Sequence, residues 1–231
     1  MERVDSDSDK PKSNCGIVGV YGHPDASLFA YQALYALQHR GQESSGIVTS
    51  DGQNLHRHVG MGLVNEAFSN ISILKRLQGH LAVGHNRYST TGSTMLHNAQ
   101  PFLVNFKDGP LAITHNGNFI NSNTTRVKLV AEGSIFQTTT DTEVVLHLMA
   151  RSKKETIVEK IQEAFTQIHG AYSMVLMTRN NVIAIRDPRG WRPLCLGQKE
   201  DAYFVVSESC ALDLIGADYI REIEPGEILV L

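Results

Sequence analysis

The chain has 231 residues, 42% of them apolar and 19% charged, ordinary proportions for a globular protein long enough to bury a core without disulfide or metal staples. A net charge of −3 leaves no electrostatic footprint for nucleic acid or another polyanion. Three scattered cysteines, Cys15, Cys195 and Cys210, argue against a disulfide framework or a zinc site and point to a reducing, cytoplasmic setting, and no apolar run is long enough to span a bilayer.

Residues 1–14 are polar and read as a disordered leader. The acids Glu2, Asp5, Asp7 and Asp9 fit neither a secretory signal nor a transit peptide. The composition changes at Cys15, and 15–21 read as a buried strand. Pro24-Asp25 opens a helix that runs to Gln38, with Gly41 placed to stop it. Residues 45–50 and 55–59 read as two strands joined by the turn Asp51-Gly52. A short helix at 71–77 precedes strands at 80–86 and 111–115. Helices are expected at 119–131, 141–150 and 156–168, the second capped by Thr140 or Asp141 with Glu143 in its first turn. Strands at 171–178, 182–186, 193–197, 203–207, 219–223 and 227–231 complete the chain. Antiparallel-looking runs with helices clustered between them predict an α+β fold, most simply two packed sheets with helices outside. No linker follows residue 15, so 15–231 reads as one folded unit.

Five segments carry candidate chemistry. In Cys15-Gly16-Ile17-Val18-Gly19 a thiol stands at the junction of leader and fold, flanked by glycines that let a ligand approach the backbone. A buried cysteine is ordinarily an inert core residue. Removal of the leader would instead give one residue both a thiol and a free α-amine. The reference pKa values of these groups, roughly 8.5 and about 7.7–8.0, let the amine serve as the thiol's base. The run 38–46, with His39, Arg40 and Gly41, is a polar loop or a site wall. In the run 84–92, Arg87 offers a planar fork for a carboxylate or forms a structural ion pair. His115-Asn116-Gly117-Asn118 is either a tight turn or an oxyanion hole. Thr138 to Glu143 is either a helix cap or an acid that binds an ammonium group, and neighbouring residues can do both.

Taken together, Cys-Gly-Ile-Val-Gly, His-Asn-Gly and Thr-Asp-Thr-Glu resemble the class II glutamine amidotransferases over residues 15–231. The segments 38–46, 87–92 and 187–194 look like the branch whose second domain is a phosphoribosyltransferase of purine biosynthesis. The resemblance implies a four-layer αββα sandwich of the N-terminal-nucleophile hydrolase type. It implies that Cys15 attacks the glutamine amide while Asn116 and Gly117 hold the oxyanion. Arg87, helped by Thr90, would grip the α-carboxylate, Asp141 would pair with the α-ammonium, and Arg40 and Gly41 would line the pocket. It implies no cofactor for this domain. Magnesium, phosphoribosyl pyrophosphate and, in one branch, an iron–sulfur cluster would belong to a second domain beyond residue 231, and the joined enzyme would be a homo-oligomer. Cys195 and Cys210 read as core thiols. Two rivals stay open: an N-terminal-nucleophile acylase acting on another amide, and a non-catalytic module that keeps its leader.

Overall fold

The computed structural model describes residues 15–88 and 95–231, so the leader and Thr90 lie outside the described residues. Two sheets form the centre, and every strand pair in them is antiparallel. The first contains β1 (Gly16–Tyr21), β2 (Ser44–Ser50), β3 (Leu55–Met61), β4 (Leu81–Arg87), β9 (Cys195–Lys199), β10 (Ala202–Val206) and β11 (Asp218–Glu222). Its strand order is β11-β9-β10-β1-β4-β2-β3. The second contains β5 (Phe102–Phe106), β6 (Gly109–Phe119), β7 (Gly170–Met177), β8 (Val182–Arg186) and β12 (Ile228–Val230), in the order β12-β8-β7-β6-β5.

The period-two alternation of strand side chains builds the layers. In β1, Ile17 faces the second sheet, among Val48, Val83, Ala112, Val175 and Ala184. Its neighbours Val18 and Val20 face the opposite way, onto helices α1 (Ala26–Ala36) and α7 (Cys210–Ile215). The outer face of the second sheet is covered by α4 (Ser122–Ala131), α5 (Thr142–Arg151) and α6 (Ile157–Phe165) through Leu129, Val145 and Ile161. The result is the expected αββα sandwich, with α2 (Val64–Ala67) and α3 (Ile71–Arg76) beside α1. Helix α1 seats closely because Gly84 lies beneath it: a Cβ there would come within 2.9 Å of Leu34.

Three expectations change. Gly41 does not cap α1; the helix ends at Ala36, a 3-10 turn follows at Gln38–Arg40, and Gly41 is extended at φ −168°. Its lack of a side chain serves a close approach instead, since a Cβ would lie 2.7 Å from the Arg87 carbonyl carbon. The strand expected at 111–115 runs on through Phe119, so Asn116-Gly117 sits inside β6 and not in a turn. Gly117 has φ +156°, and a Cβ there would stand 2.1 Å from the Ala171 carbonyl oxygen. Finally, Cys210 is exposed and not a core thiol, because it opens α7 on the outer surface, whereas Cys195 is buried as expected.

Candidate active site

Cys15 enters β1 at the end of the sandwich with only 8% of its surface exposed. Its Sγ lies against Tyr88, whose N–H donates to it across 3.5 Å and whose carbonyl accepts from it at 3.9 Å. Pairing of β1 with β4 sets Gly16 opposite Asn86 and Ile17 opposite His85. Alternation along β4 then sorts the side chains. Asn86 turns toward α1, donating to the Leu34 carbonyl (2.7 Å) and bonding Ser45 Oγ at 2.7 Å. His85 and Arg87, two residues apart, both line a cavity of about 290 Å³ with Cys15, Gly117, Thr140 and Asp141. That volume lies near the lower bound of the roughly 300–1,000 Å³ usual for small-molecule sites, which suits a compact ligand.

The cavity carries opposite charges. Arg87 is nearly buried and pairs through Nη1 with Glu43 Oε1 at 3.1 Å. Asp141 accepts from the Phe119 N–H (2.9 Å) and lies 3.3 Å from His115 Nδ1. Burial pushes the Asp141 carboxyl up, but the adjacent His115 and the backbone N–H groups of Phe119 and Thr142 outweigh it and hold it below the usual carboxylate range. His85 donates from Nε2 to the His115 carbonyl (3.1 Å), and burial drives its pKa down to about 3, so the ring is neutral, with Nδ1 an acceptor that has no partner among the described residues. Burial also pushes the Cys15 thiol up, against the pull of the Tyr88 N–H and of Arg87 and Arg40.

Cys15, Arg87, Gly117 and Asp141 thus share one cavity. Asn116 is fully buried next to Gly117, and neither polar atom of its amide has a partner among the described residues. Arg40 and Gly41 stand behind this wall and not in it. Arg40 Nε donates to the Cys15 carbonyl at 3.1 Å, and Gly41 packs on the Arg87 backbone. Asp141 occupies the N-cap position of α5 but makes no side-chain cap bond; its carboxylate is committed to Phe119 and His115. Glu143 accepts from the N–H groups of Gln137 and Thr138 (2.8 and 2.7 Å), which shapes the segment before Asp141. Sequence reasoning missed His85, which period-two alternation from Arg87 could have found. It also missed Gln100, whose amide oxygen accepts from the His115 N–H at 2.8 Å, and no local sequence pattern marks that residue.

A cysteine at the head of an inner strand, at the open end of two packed antiparallel sheets between helical layers, defines the N-terminal-nucleophile hydrolase class of fold. Within that class the chain belongs to the glutamine amidotransferase domain family, whose model matches residues 85–213. It is 51% identical over 229 residues to amidophosphoribosyltransferase 1, chloroplastic, of Arabidopsis thaliana, covering 98% of this chain and 40% of that protein. It is 45% identical to the amidophosphoribosyltransferase of Bacillus subtilis, covering 94% of this chain and 46% of that protein. The solved structure described as the allosteric regulatory enzyme of purine biosynthesis superimposes with a TM-score of 0.91 at 45% identity, covering 94% of this chain and 46% of that one. The chain therefore spans less than half the length of the relatives it matches.

Proposed function

We propose that this chain is a glutaminase domain that releases ammonia from glutamine through a Cys15 thioester. The observation that carries the reading is the convergence of a thiol, an arginine and a carboxylate on one small cavity. A free α-amino acid with a side-chain amide needs all three: a nucleophile, a grip for its carboxylate and a grip for its ammonium.

The chemistry requires Cys15 to carry a free amine, hence removal of residues 1–14. An amide nitrogen has no basic lone pair, and the buried thiol, pushed up, needs a local base. The amine takes the thiol proton and sulfur attacks the carboxamide carbon. The oxygen of the tetrahedral adduct becomes an anion held by the Asn116 side-chain amide and the Gly117 N–H. Collapse breaks the C–N bond, and the amine hands its proton to the departing ammonia. Water then attacks the thioester and releases glutamate and the thiol. Arg87 and Asp141 hold the substrate's two charged groups throughout, with Thr90 assisting at the carboxylate.

In a protein as long as the relatives, the ammonia would pass to a phosphoribosyltransferase domain and convert phosphoribosyl pyrophosphate into 5-phosphoribosylamine, the opening step of purine synthesis. The names of the relatives support this placement. The free cysteines suit a cytoplasmic, reducing location.

The test is ammonia release from glutamine by protein whose first residue is Cys15, confirmed by intact mass. Cys15→Ala is expected to abolish it, and full activity in that variant would end the proposal. N-acyl substrates that lack the α-carboxylate and α-ammonium are expected to be turned over poorly; equal turnover would favour an acylase.

A further inference from the structure

The mechanism makes Cys15 a chain end, and chain ends fray unless something ties them down. Cys15 would keep a single peptide bond to the fold, so the direction in which its amine and thiol point depends on how its carbonyl is held. Arg40 holds that carbonyl: it is 7% exposed and its Nε donates to Cys15 O at 3.1 Å. Arg40 is in turn held by Glu208, which pairs with its Nη1 from the segment after β10. The second carboxylate oxygen of Glu208 accepts from His39 Nε2 at 2.9 Å. The residue before Glu208 grips the same strand: Ser207 Oγ accepts from the Ile17 N–H at 2.9 Å, and the Ser207 N–H donates to Ile17 O at 3.1 Å.

We propose that Glu208 is a positioning residue for the nucleophile, which through Arg40 fixes the carbonyl, and hence the orientation, of Cys15. The inference rests on the glutaminase reading. Glu208 does not line the cavity, and it touches none of the groups assigned to the substrate.

Glu208 has a second effect, through charge. Arg87 from β4, Arg40, Arg192 and Asp141 act electrostatically on the thiol, while His39 and Cys210 flank Glu208. Glu208 offsets the charge of Arg40. Without it, the bare guanidinium beside Cys15 favours the thiolate and disfavours the ammonium, so both groups titrate at lower pH.

The experiment compares wild type, Glu208→Ala and Glu208→Gln, each with Cys15 confirmed as the first residue. It measures glutamine hydrolysis and the pH dependence of Cys15 alkylation by iodoacetamide. Glu208→Ala is expected to lose kcat by about 10- to 100-fold with KM within about twofold. Glu208→Gln keeps an acceptor for Arg40 and is expected to recover most of kcat. The alkylation midpoint is expected to move about half a pH unit lower in both variants. An unchanged kcat and alkylation profile in Glu208→Ala would overturn the proposal, as would equal losses in Ala and Gln variants that track a loss of folded protein. Alkylation reads the Cys15 environment without glutamine. A wild type that alkylates normally but does not hydrolyse glutamine would therefore sink the glutaminase reading alone, while the alkylation shift still decides the role of Glu208.

Discussion

Tyr88 embraces the Cys15 sulfur with its own backbone, its N–H donating to Sγ at 3.5 Å and its carbonyl accepting at 3.9 Å. The sulfur is thus buried beside a donor that favours thiolate and an acceptor that favours thiol. Among the described residues no side chain bonds the sulfur, so the activation proposed above falls to the amine that Cys15 itself would carry.

Asn116 gives the sharpest mutational prediction. Its amide has no partner among the described residues, so truncation leaves no orphaned neighbour there. Asn116→Ala is expected to lower kcat for glutamine by about 10²–10³-fold, roughly 2.7–4 kcal/mol of barrier, with the melting temperature almost unmoved. Steady-state kinetics beside a thermal melt checks this.

Asp141 is expected to govern binding. Its carboxyl is held below the usual range, so it stays ionised through mildly acidic pH. A depressed carboxyl contributes stability that is present above its unfolded pKa of about 3.9 and is lost as pH falls through its folded value. Asp141→Asn keeps an acceptor for the Phe119 N–H but removes the charge. KM for glutamine is expected to rise on the order of tenfold or more while the fold survives, measured by initial rates at neutral pH.

Glu43 and Arg87 form a pair whose side chains are only 10% and 9% exposed. Removing one partner of a buried pair strands the other charge, which costs about 3–5 kcal/mol. Glu43→Ala is therefore expected to destabilise the protein by an amount of that order in urea denaturation. It should also raise KM, because Arg87 loses the contact that aims it into the cavity.

His85 is expected to set the acid limit of stability. Its folded pKa of about 3 lies below the unfolded value of 6.5. Between those values the unfolded chain binds a proton that the folded one refuses, so stability falls as pH drops through that window, by up to about 1.4 kcal/mol per pH unit. His85→Gln should flatten this slope in denaturation midpoints measured from pH 7 to 4. An unchanged slope would show that His85 is not the group responsible.

The sandwich was legible because apolar residues mark its inner strands: Gly16–Tyr21 is a continuous small and apolar run, buried on both faces with Ile17 toward one layer and Val18 toward the other. Helices α5 and α6 were legible for the same reason at helical spacing. What failed was local signal overruled by tertiary demand. Asn116-Gly117 spells a turn but is held in β6 by its pairing with Ser173 and Tyr172. Gly41 spells a helix stop but is needed for contact with Arg87. Strand β5 was missed, as was α7, a helix of only six residues that carries Cys210 to the surface. In the site, Cys15, Arg87 and Asp141 could be named from their motifs. The positions of Arg40, Gln100 and Glu208 could not, since each acts through contacts 15 to 168 residues away in the chain.

The most direct test is to compare the chain that begins at Cys15 with the chain that retains residues 1–14. Each is incubated with 6-diazo-5-oxonorleucine, a glutamine analogue that alkylates an active thiol, and the labelled residue is identified by peptide mass. A free amine at Cys15 acting as the base of its own thiol requires stoichiometric label on Cys15 in the first form, with parallel loss of ammonia release, and no label in the second. Equal labelling of both forms, or none in the form that begins at Cys15, would contradict it.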